Sequence, residues 1–220
     1  MLKAIAFDFD GVILESTAIK TQAFRQLFQD YPEQLEAIVQ LHLEKAGISR
    51  FEKFRIIYQD YLQQPLEEET LANLGVRFSQ QVYEAVLACP FVAGAEEFLR
   101  SRAPDYPLYI ASGTPEAELQ AIVHQRHLKG FFQGVYGSPA SKQAILQRIL
   151  HEQQLQPSEL LMIGDAIADY QGAKATAVPF VGRVEAGKPN PFPSQGAIAL
   201  IADLWDLDQQ WPSLLMRCFT

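Results

Sequence analysis

The chain has 220 residues, of which 48% are hydrophobic and 20% are charged, and it carries a formal net charge of −8. This composition is typical of a globular protein with one substantial domain and room for a smaller insert, and it excludes a mainly disordered chain. The negative net charge argues against nucleic acid or an anionic membrane as a partner. No apolar run reaches the roughly 18 residues of a membrane-spanning helix. The two cysteines, Cys89 and Cys218, are expected to be reduced thiols of a cytoplasmic protein.

Six short apolar runs are predicted to be β-strands. Several are apolar on both faces, which is typical of a parallel sheet covered by helices on both sides. Helical patterns alternate with them, for example over 115–127 and 139–154, where apolar residues recur three and four positions apart. The predicted fold class is therefore α/β, a Rossmann-like doubly wound parallel sheet. The predicted strands are Leu2–Phe7, Leu108–Ala111, Phe132–Tyr136, Leu160–Ile163, Val178–Val181 and Ile198–Ile201.

Residues 16–89 interrupt this alternation, because they contain helical patterns but no clear strand. Four or five helices are predicted there. The sequence thus predicts a core domain built from residues 1–15 and 90–220, with residues 16–89 forming an inserted helical domain. Because the insert follows the carboxyl end of a strand, it is expected to lie over the ligand crevice of the sheet.

Two aspartates, Asp8 and Asp10, follow the first predicted strand. An unpaired buried carboxylate is costly, so charged residues at the end of a buried strand need an explanation. Three interpretations remain open. Asp10-Gly11 can be a hairpin turn, Asp8 can cap a helix, or the two carboxylates can form an acidic site.

Polar residues also follow the second predicted strand, as Ser112 and Gly113. They suit a site where backbone N–H groups approach a ligand, but Ser112 can equally be the N-cap of the next helix, with Pro115 in its first turn. Lys142 falls in the first turn of a later helix, where a cation opposes the helix dipole. Neighbouring carboxylates or a phosphate would explain such a lysine, and a solvated surface side chain is the alternative.

A last acidic pair, Asp165 and Asp169, follows the fourth predicted strand. Both can be explained as capping residues, or both can point toward one centre. The carboxyl ends of parallel strands meet along one crevice, so these aspartates are expected to converge there with Asp8 and Asp10. Converging carboxylates repel one another unless a cation is bound, and oxygen ligands without cysteine or histidine suit Mg²⁺.

Four motifs occur in a fixed order: DFDGV at Asp8–Val12, the strand-end Ser112, Lys142, and GDxxxD at Gly164–Asp169. In this order they are similar to the haloacid dehalogenase superfamily of aspartyl phosphohydrolases, over essentially the whole chain. Within that superfamily the chain resembles the phosphoglycolate phosphatase and β-phosphoglucomutase-like branch, in which a helical cap lies between the first two motifs. The resemblance implies a cap domain over residues 16–89, Mg²⁺ as the cofactor and a small phosphorylated metabolite as the substrate.

The resemblance also implies a role for each motif residue. Asp8 is expected to attack phosphorus as the nucleophile, and Asp10 to protonate the leaving oxygen and then activate water. Mg²⁺ is expected to bind Asp8, the backbone carbonyl of Asp10, and Asp165. Asp169 is expected to orient Lys142 or a metal-bound water. The groups expected to bind the phosphoryl oxygens are Ser112, the Gly113 backbone and Lys142. Since a halide needs no proton, the presence of Asp10 favours phosphate esters as substrates.

A cationic stretch in the predicted insert leaves two interpretations open. Similar caps carry a Ser-Arg pair that binds a second anionic group, so Arg50, together with Lys53, is predicted to contact the distal part of the substrate. In the alternative, Ser49 caps the next helix and both cations are solvated.

The predicted function is that of a Mg²⁺-dependent phosphatase acting through a phosphoaspartyl intermediate on Asp8, in a cytoplasmic monomer or homodimer. A phosphosugar mutase of the β-phosphoglucomutase type is the first alternative. A phosphonate-cleaving enzyme that uses Lys20, Lys45 or Lys53 as a Schiff-base lysine is the second. The third is a non-catalytic metabolite-binding protein on the same fold.

Overall fold

A computed structural model describes residues 1–219, and its centre is one sheet of six parallel strands. The strands are Ala4–Phe7 (β1), Leu108–Pro115 (β2), Phe132–Ser138 (β3), Leu160–Gly164 (β4), Phe180–Arg183 (β5) and Ala199–Ile201 (β6). Their order in the sheet is β3-β2-β1-β4-β5-β6, so β1 lies between β2 and β4. The predicted α/β fold class is confirmed. The fifth strand begins at Phe180 and not at Val178, because the Val178 N–H still bonds to Ala173 in the turn that precedes it.

The first four helices form the segment that follows β1, and the later helices cover both faces of the sheet. The helices are Thr17–Leu27 (α1), Leu35–Glu44 (α2), Arg50–Ile56 (α3), Glu68–Ala88 (α4), Ala95–Arg102 (α5), Glu116–Gln125 (α6), Lys142–Glu152 (α7), Ile167–Ala175 (α8) and Leu204–Cys218 (α9). A π-helical stretch, Ile57–Leu62, continues α3. Within residues 1–219, no helix is both long enough and apolar enough to cross a membrane.

The core has two halves because side chains alternate across each strand. On β1, Ile5 and Phe7 face one half, which α5, α6 and α9 cover. Ala4 and Ala6 face the other half, which α7 and α8 cover. This burial on both faces explains why the strands are nearly continuous apolar runs in the sequence.

The segment between β1 and α5 is helical, as its sequence pattern predicts, and aromatic side chains form its centre. Phe24 of α1 lies 5.6 Å from Phe54 and 5.0 Å from Phe78, measured between ring centroids. These rings belong to three different helices, so α1, α3 and α4 enclose an apolar interior of their own.

The chain enters and leaves this helical segment at one place. The Glu15 N–H donates to the Pro90 carbonyl at 3.0 Å, and the Val92 N–H donates to the Ile13 carbonyl at 3.0 Å. Arg183 at the end of β5 forms an ion pair with Glu15 at 2.6 Å. The two connecting segments therefore lie side by side and are attached to the carboxyl end of the sheet.

Candidate active site

Asp8 follows the central strand directly and is only 3% exposed. Its N–H donates to the Ile163 carbonyl at 2.8 Å, which continues the pairing with β4, and its Oδ1 accepts from the Phe9 N–H at 2.7 Å. The ammonium of Lys142 lies 2.7 Å from the same Oδ1. Asp8 caps no helix, so that alternative is wrong.

Lys142 is the first residue of α7, behind the N-cap Ser141, and its side chain reaches back into the sheet. Its Nζ donates to the Ala111 carbonyl at 2.6 Å and lies 2.7 Å from Asp8 and 2.5 Å from Asp169. Three oxygens thus match the three N–H groups of the ammonium. Burial alone would lower the pKa of Lys142, but the carboxylates of Asp169 and Asp8 raise it above its ordinary value. The surface-lysine alternative is wrong.

The GDxxxD motif brings two more carboxylates to this point. Asp169 accepts from the Ala166 N–H at 3.0 Å, so it satisfies the start of α8 as well as pairing with Lys142. The N-cap of α8 is Ala166 and not Asp165, so the capping interpretation of Asp165 is wrong. One oxygen from each of Asp8, Asp165 and Asp169 lies within 4.8 Å of the others.

This acidic cluster is strongly coupled. Burial, followed by repulsion from Asp169, raises the pKa of Asp8 to about 7. Burial and the neighbouring Asp8 and Asp169 raise the pKa of Asp165 well above its ordinary value. When ionised, three carboxylates against the single ammonium of Lys142 leave a formal charge of −2, and the donors are all oxygens. The cluster therefore fits a hard divalent cation such as Mg²⁺.

Gly11 shapes the loop beside this cluster. Its φ is +76°, which favours glycine, and a Cβ at this position would lie 2.1 Å from Asp165 Oδ2. The Gly11 N–H donates to the Leu14 carbonyl at 2.7 Å, so Asp10-Gly11 does belong to a tight turn. The turn interpretation and the acidic-site interpretation therefore do not exclude each other, because the turn brings this loop close to Asp165.

The carboxylate of Asp10 has partners other than those of the acidic cluster. It accepts from Ser16 Oγ at 2.6 Å and from Thr114 Oγ1 at 2.9 Å, and it forms an ion pair with Lys20. Burial raises the pKa of Asp10, but the ion pair with Lys20 and these hydrogen bonds outweigh burial and hold it below its ordinary value. The side chain of Asp10 is not part of the acidic cluster, and the use of its carbonyl as a metal ligand stays a prediction.

The strand-end residues Ser112 and Gly113 line the same crevice. Ser112 Oγ accepts from the Thr114 N–H at 3.1 Å, and the N-cap of α6 is Pro115, so the prediction of Ser112 as that N-cap is wrong. A Cβ on Gly113 would lie 2.6 Å from the Gly47 carbonyl oxygen, so only glycine admits the helical segment this closely. Gly47 and Gly113 line both a cavity of about 100 Å³ beside Asp8 and one of about 250 Å³ beside Lys142.

Comparison with known proteins identifies the family. A sequence profile of the haloacid dehalogenase-like hydrolases matches residues 2–176. The chain belongs to this family. No curated protein matches its sequence.

Solved structures of other proteins share the fold of this haloacid dehalogenase-like hydrolase at low sequence identity. A predicted phosphoglycolate phosphatase from Haemophilus somnus has a TM-score of 0.72 at 18% identity, over 94% of this chain and 97% of that chain. A protein from Bacteroides vulgatus described as a candidate β-phosphoglucomutase has a TM-score of 0.78 at 17% identity, over 100% and 91%. The magnesium-bound haloacid dehalogenase-like hydrolase YfnB from Bacillus subtilis has a TM-score of 0.69 at 18% identity, over 94% and 97%.

In this haloacid dehalogenase-like hydrolase, Arg50 and Lys53 are buried rather than solvated, at 5% and 4% exposure. Ser49 does cap α3, because it accepts from the Phe51 N–H at 3.3 Å, but the solvated-cation alternative is wrong. Arg50 lines the cavity beside Asp8, where its Nη2 lies 2.6 Å from an oxygen of Glu118 on α6. Its contact with the distal part of a substrate stays a prediction.

Several contacts around the cavity of this hydrolase were not predicted from the sequence, which gave Lys20 only as a candidate Schiff-base lysine. Lys20 and Thr114 hold Asp10, and Glu118 holds Arg50. The sequence does contain a signal for Lys20, because its spacing of four residues from Ser16 is that of neighbours on one helix face. In the structure both side chains contact Asp10. No sequence signal indicates Glu118, because helix α6 also carries Glu116 and the sequence does not distinguish the two.

Proposed function

We propose that this chain is a Mg²⁺-dependent phosphatase that hydrolyses a small phosphorylated metabolite through a phosphoaspartyl intermediate on Asp8. One observation supports the proposal: the buried Asp8 carboxylate lies 2.7 Å from the Lys142 ammonium and in one cluster with the carboxylates of Asp165 and Asp169. A nucleophilic carboxylate can approach a phosphate only where nearby positive charge offsets their repulsion.

In the first step, Asp8 forms a bond to phosphorus while the bond between phosphorus and the ester oxygen breaks. Lys142, Ser112 Oγ and the Gly113 N–H bind the phosphoryl oxygens. Lys142 suits this role because its pKa is raised and it remains charged in the buried site. Asp169 and the Ala111 carbonyl hold its ammonium at the strand end, so little rearrangement is needed when the substrate binds.

Asp10 is proposed to move the protons. It donates one to the leaving oxygen in the first step, and it takes one from the water that displaces Asp8 from phosphorus in the second. The ion pair with Lys20 favours the ionised carboxylate, which is the form required as a base. To act as an acid, Asp10 must separate from Lys20, because burial without that partner raises its pKa.

The residues proposed to hold Mg²⁺ are Asp8, Asp165 and the backbone carbonyl of Asp10. The acidic cluster supports this assignment, and YfnB from Bacillus subtilis, which has the same fold, is bound to magnesium. When bound, Mg²⁺ supplies the positive charge that neutralises the site and polarises the phosphoryl group. The helical segment 16–89 is proposed to be a cap over this site, and the two free cysteines support a cytoplasmic location.

The test is a panel of phosphate monoesters assayed with Mg²⁺ and with a chelator. We expect phosphate release only with the metal, and a loss of at least 1,000-fold in kcat for Asp8→Asn, with Asp30→Asn as the matched control on an exposed carboxylate. Asp10→Asn should lose far more activity on an alkyl phosphate than on p-nitrophenyl phosphate, whose leaving group needs no proton. Turnover by Asp8→Asn, or turnover that is indifferent to the chelator, would contradict the proposal.

The phosphosugar mutase is the alternative that the same residues allow. It would transfer the phosphoryl group between sugar positions and depend on a bisphosphorylated activator, whereas a phosphatase releases inorganic phosphate. Following both products with a sugar monophosphate decides between them. A protein that binds these esters without turning them over would instead be a non-catalytic metabolite-binding protein.

A further inference from the structure

Arg50 lines the cavity beside Asp8, but its positive charge is already paired within the protein. Its Nη2 lies 2.6 Å from one oxygen of Glu118, and its Nη1 donates to Ser79 Oγ at 2.9 Å. Ser79 Oγ donates in turn to the second oxygen of Glu118 at 2.6 Å. The guanidinium also lies 4.6 Å from the centre of the Phe78 ring. The guanidinium, the hydroxyl and both carboxylate oxygens therefore form one closed set of contacts.

The ion pair between Arg50 and Glu118 is shielded from solvent, since the two side chains are only 5% and 11% exposed. Removing the partner of a buried charge is costly, because the remaining charge has little water to solvate it. An anion that took the guanidinium from Glu118 would leave that carboxylate unpaired. An anion that shared the guanidinium would bring a second negative charge next to the carboxylate. Arg50 therefore offers little net attraction to an anion in the cavity.

The two lysines that line the same cavity do not replace the charge of Arg50. Lys20 forms an ion pair with Asp10. Lys53 lies 3.1 Å from the His42 carbonyl oxygen and 3.2 Å from His42 Nδ1, and burial, followed by repulsion from Lys20, lowers the pKa of Lys53 to about 7. Lys53 is therefore only partly charged near neutral pH. Within residues 1–219, the lysine and arginine side chains that line this cavity do not supply two unpaired positive charges.

Resting on the phosphatase function proposed above, we propose that Glu118 is a specificity-determining residue: it neutralises Arg50 and so excludes substrates whose leaving group carries a second phosphate. A second phosphate brings about two negative charges into the cavity, where Glu118 repels them and no matching cations offset them. The substrate class that remains is a phosphate monoester without a second phosphate. The anion contact that the sequence predicts for Arg50 is then available only when the charge of Glu118 is removed.

The matched probes are 3-hydroxypropyl phosphate and propane-1,3-diyl bisphosphate, which differ by one phosphate on the same carbon chain. At a fixed concentration of free Mg²⁺, the wild type is expected to give a kcat/KM at least tenfold higher for the monophosphate. Glu118→Gln keeps the shape of the side chain but removes its charge, so it should raise the kcat/KM ratio of bisphosphate to monophosphate at least tenfold, mainly by lowering KM for the bisphosphate. Adding Arg50→Gln to this variant should abolish the gain, because the gain requires the guanidinium.

Two control variants should keep the wild-type ratio. Ser79→Ala removes a hydroxyl from the same set of contacts but leaves the ion pair in place, and Glu97→Gln removes the charge of an exposed glutamate. Glu118→Met is a second variant in case Glu118→Gln folds poorly, and it should also raise the ratio.

The possible failures are distinguishable. A folded Glu118→Gln or Glu118→Met variant with the wild-type ratio overturns the role of Glu118, as does an equal gain in Ser79→Ala. A gain that persists in the double variant overturns the route through Arg50. A wild type that hydrolyses the bisphosphate as well as the monophosphate overturns the exclusion but leaves the phosphatase function standing. Failure of the wild type to hydrolyse any phosphate ester overturns the phosphatase function, and this proposal with it.

Discussion

Replacing Asp8 by asparagine should stabilise the metal-free protein, although it removes the proposed nucleophile. In the folded chain, burial and repulsion from Asp169 raise the pKa of Asp8 to about 7, from an ordinary value of 3.8. Lys142 opposes this shift without reversing it. Asparagine has the same shape as the carboxyl group but cannot ionise, so it avoids the cost of a buried charge.

The magnitude and its sign follow from proton linkage. Because the folded-state pKa is raised, the folded chain binds more protons than the unfolded chain between about pH 4 and pH 7, and the stability contributed by Asp8 falls as the pH rises through that window. Each pKa unit corresponds to about 1.4 kcal/mol, so the raised pKa of Asp8 lowers the free energy of unfolding by about 4 kcal/mol at pH 8 and by about 2 kcal/mol at pH 5, relative to a side chain that does not titrate. Asp8→Asn should recover these amounts.

The assay is urea denaturation of the wild type and Asp8→Asn in a chelator, at pH 5 and at pH 8, with Asp30→Asn as the control for an exposed carboxylate. We expect a gain in the free energy of unfolding for Asp8→Asn that is larger at pH 8, and no such gain for the control. Saturating Mg²⁺ should stabilise the wild type more than Asp8→Asn, because the metal binds the ionised carboxylate. An Asp8→Asn variant less stable than the wild type at pH 8 in chelator would refute this account of the cluster.

Three further substitutions test the geometry of the site. Lys142→Met leaves Asp8 buried without its cation, so the free energy of unfolding in chelator at pH 8 should fall by about 3–5 kcal/mol, measured by the same denaturation. Gly11→Ala adds a Cβ 2.1 Å from Asp165 Oδ2 at a φ of +76°, and calorimetry should detect at least about tenfold weaker Mg²⁺ binding, about 1.4 kcal/mol. Gly113→Ala adds a Cβ 2.6 Å from a backbone oxygen of the helical segment, so KM should rise at least about tenfold while the melting temperature changes little. An unchanged Mg²⁺ affinity or an unchanged KM would show that the loop or the helical segment shifts at no cost.

The carboxylates at the edge of the sheet could be predicted from the sequence, because the end of a strand fixes the position of the residue that follows it. A buried strand followed by a carboxylate is detectable in one sequence, and parallel strands bring such ends to one edge. Asp8 and Asp165 are examples, since they follow the adjacent strands β1 and β4. The capping alternatives failed for Ser112 and Asp165 because each helix begins one or more residues later than its motif indicates.

The pairing of the cations could not be predicted, because their partners lie on other elements of the fold. Lys20 and Thr114 are 94 residues apart and meet at Asp10, and Arg50 and Glu118 are 68 residues apart. Sequence periodicity places a residue on one face of its own helix but does not identify the residue on another element that faces it. A cationic stretch in the sequence was therefore compatible with solvation, although its two cations are buried.

The sheet and the helical segment contribute opposite charges to the site. At the sheet, carboxylates outnumber Lys142, which fits the proposed binding of a divalent cation in this part of the site. In the helical segment, Arg50 pairs with Glu118 of α6, and Lys53 contacts the neutral His42, while burial, followed by repulsion from Lys20, lowers the pKa of Lys53 to about 7. A phosphate ester bound between the two parts would meet the proposed Mg²⁺ site at its phosphoryl end and residues of the helical segment at its other end. Substitutions at the sheet should therefore change whether the ester is cleaved, and substitutions in the helical segment that line the cavity should change which ester is chosen.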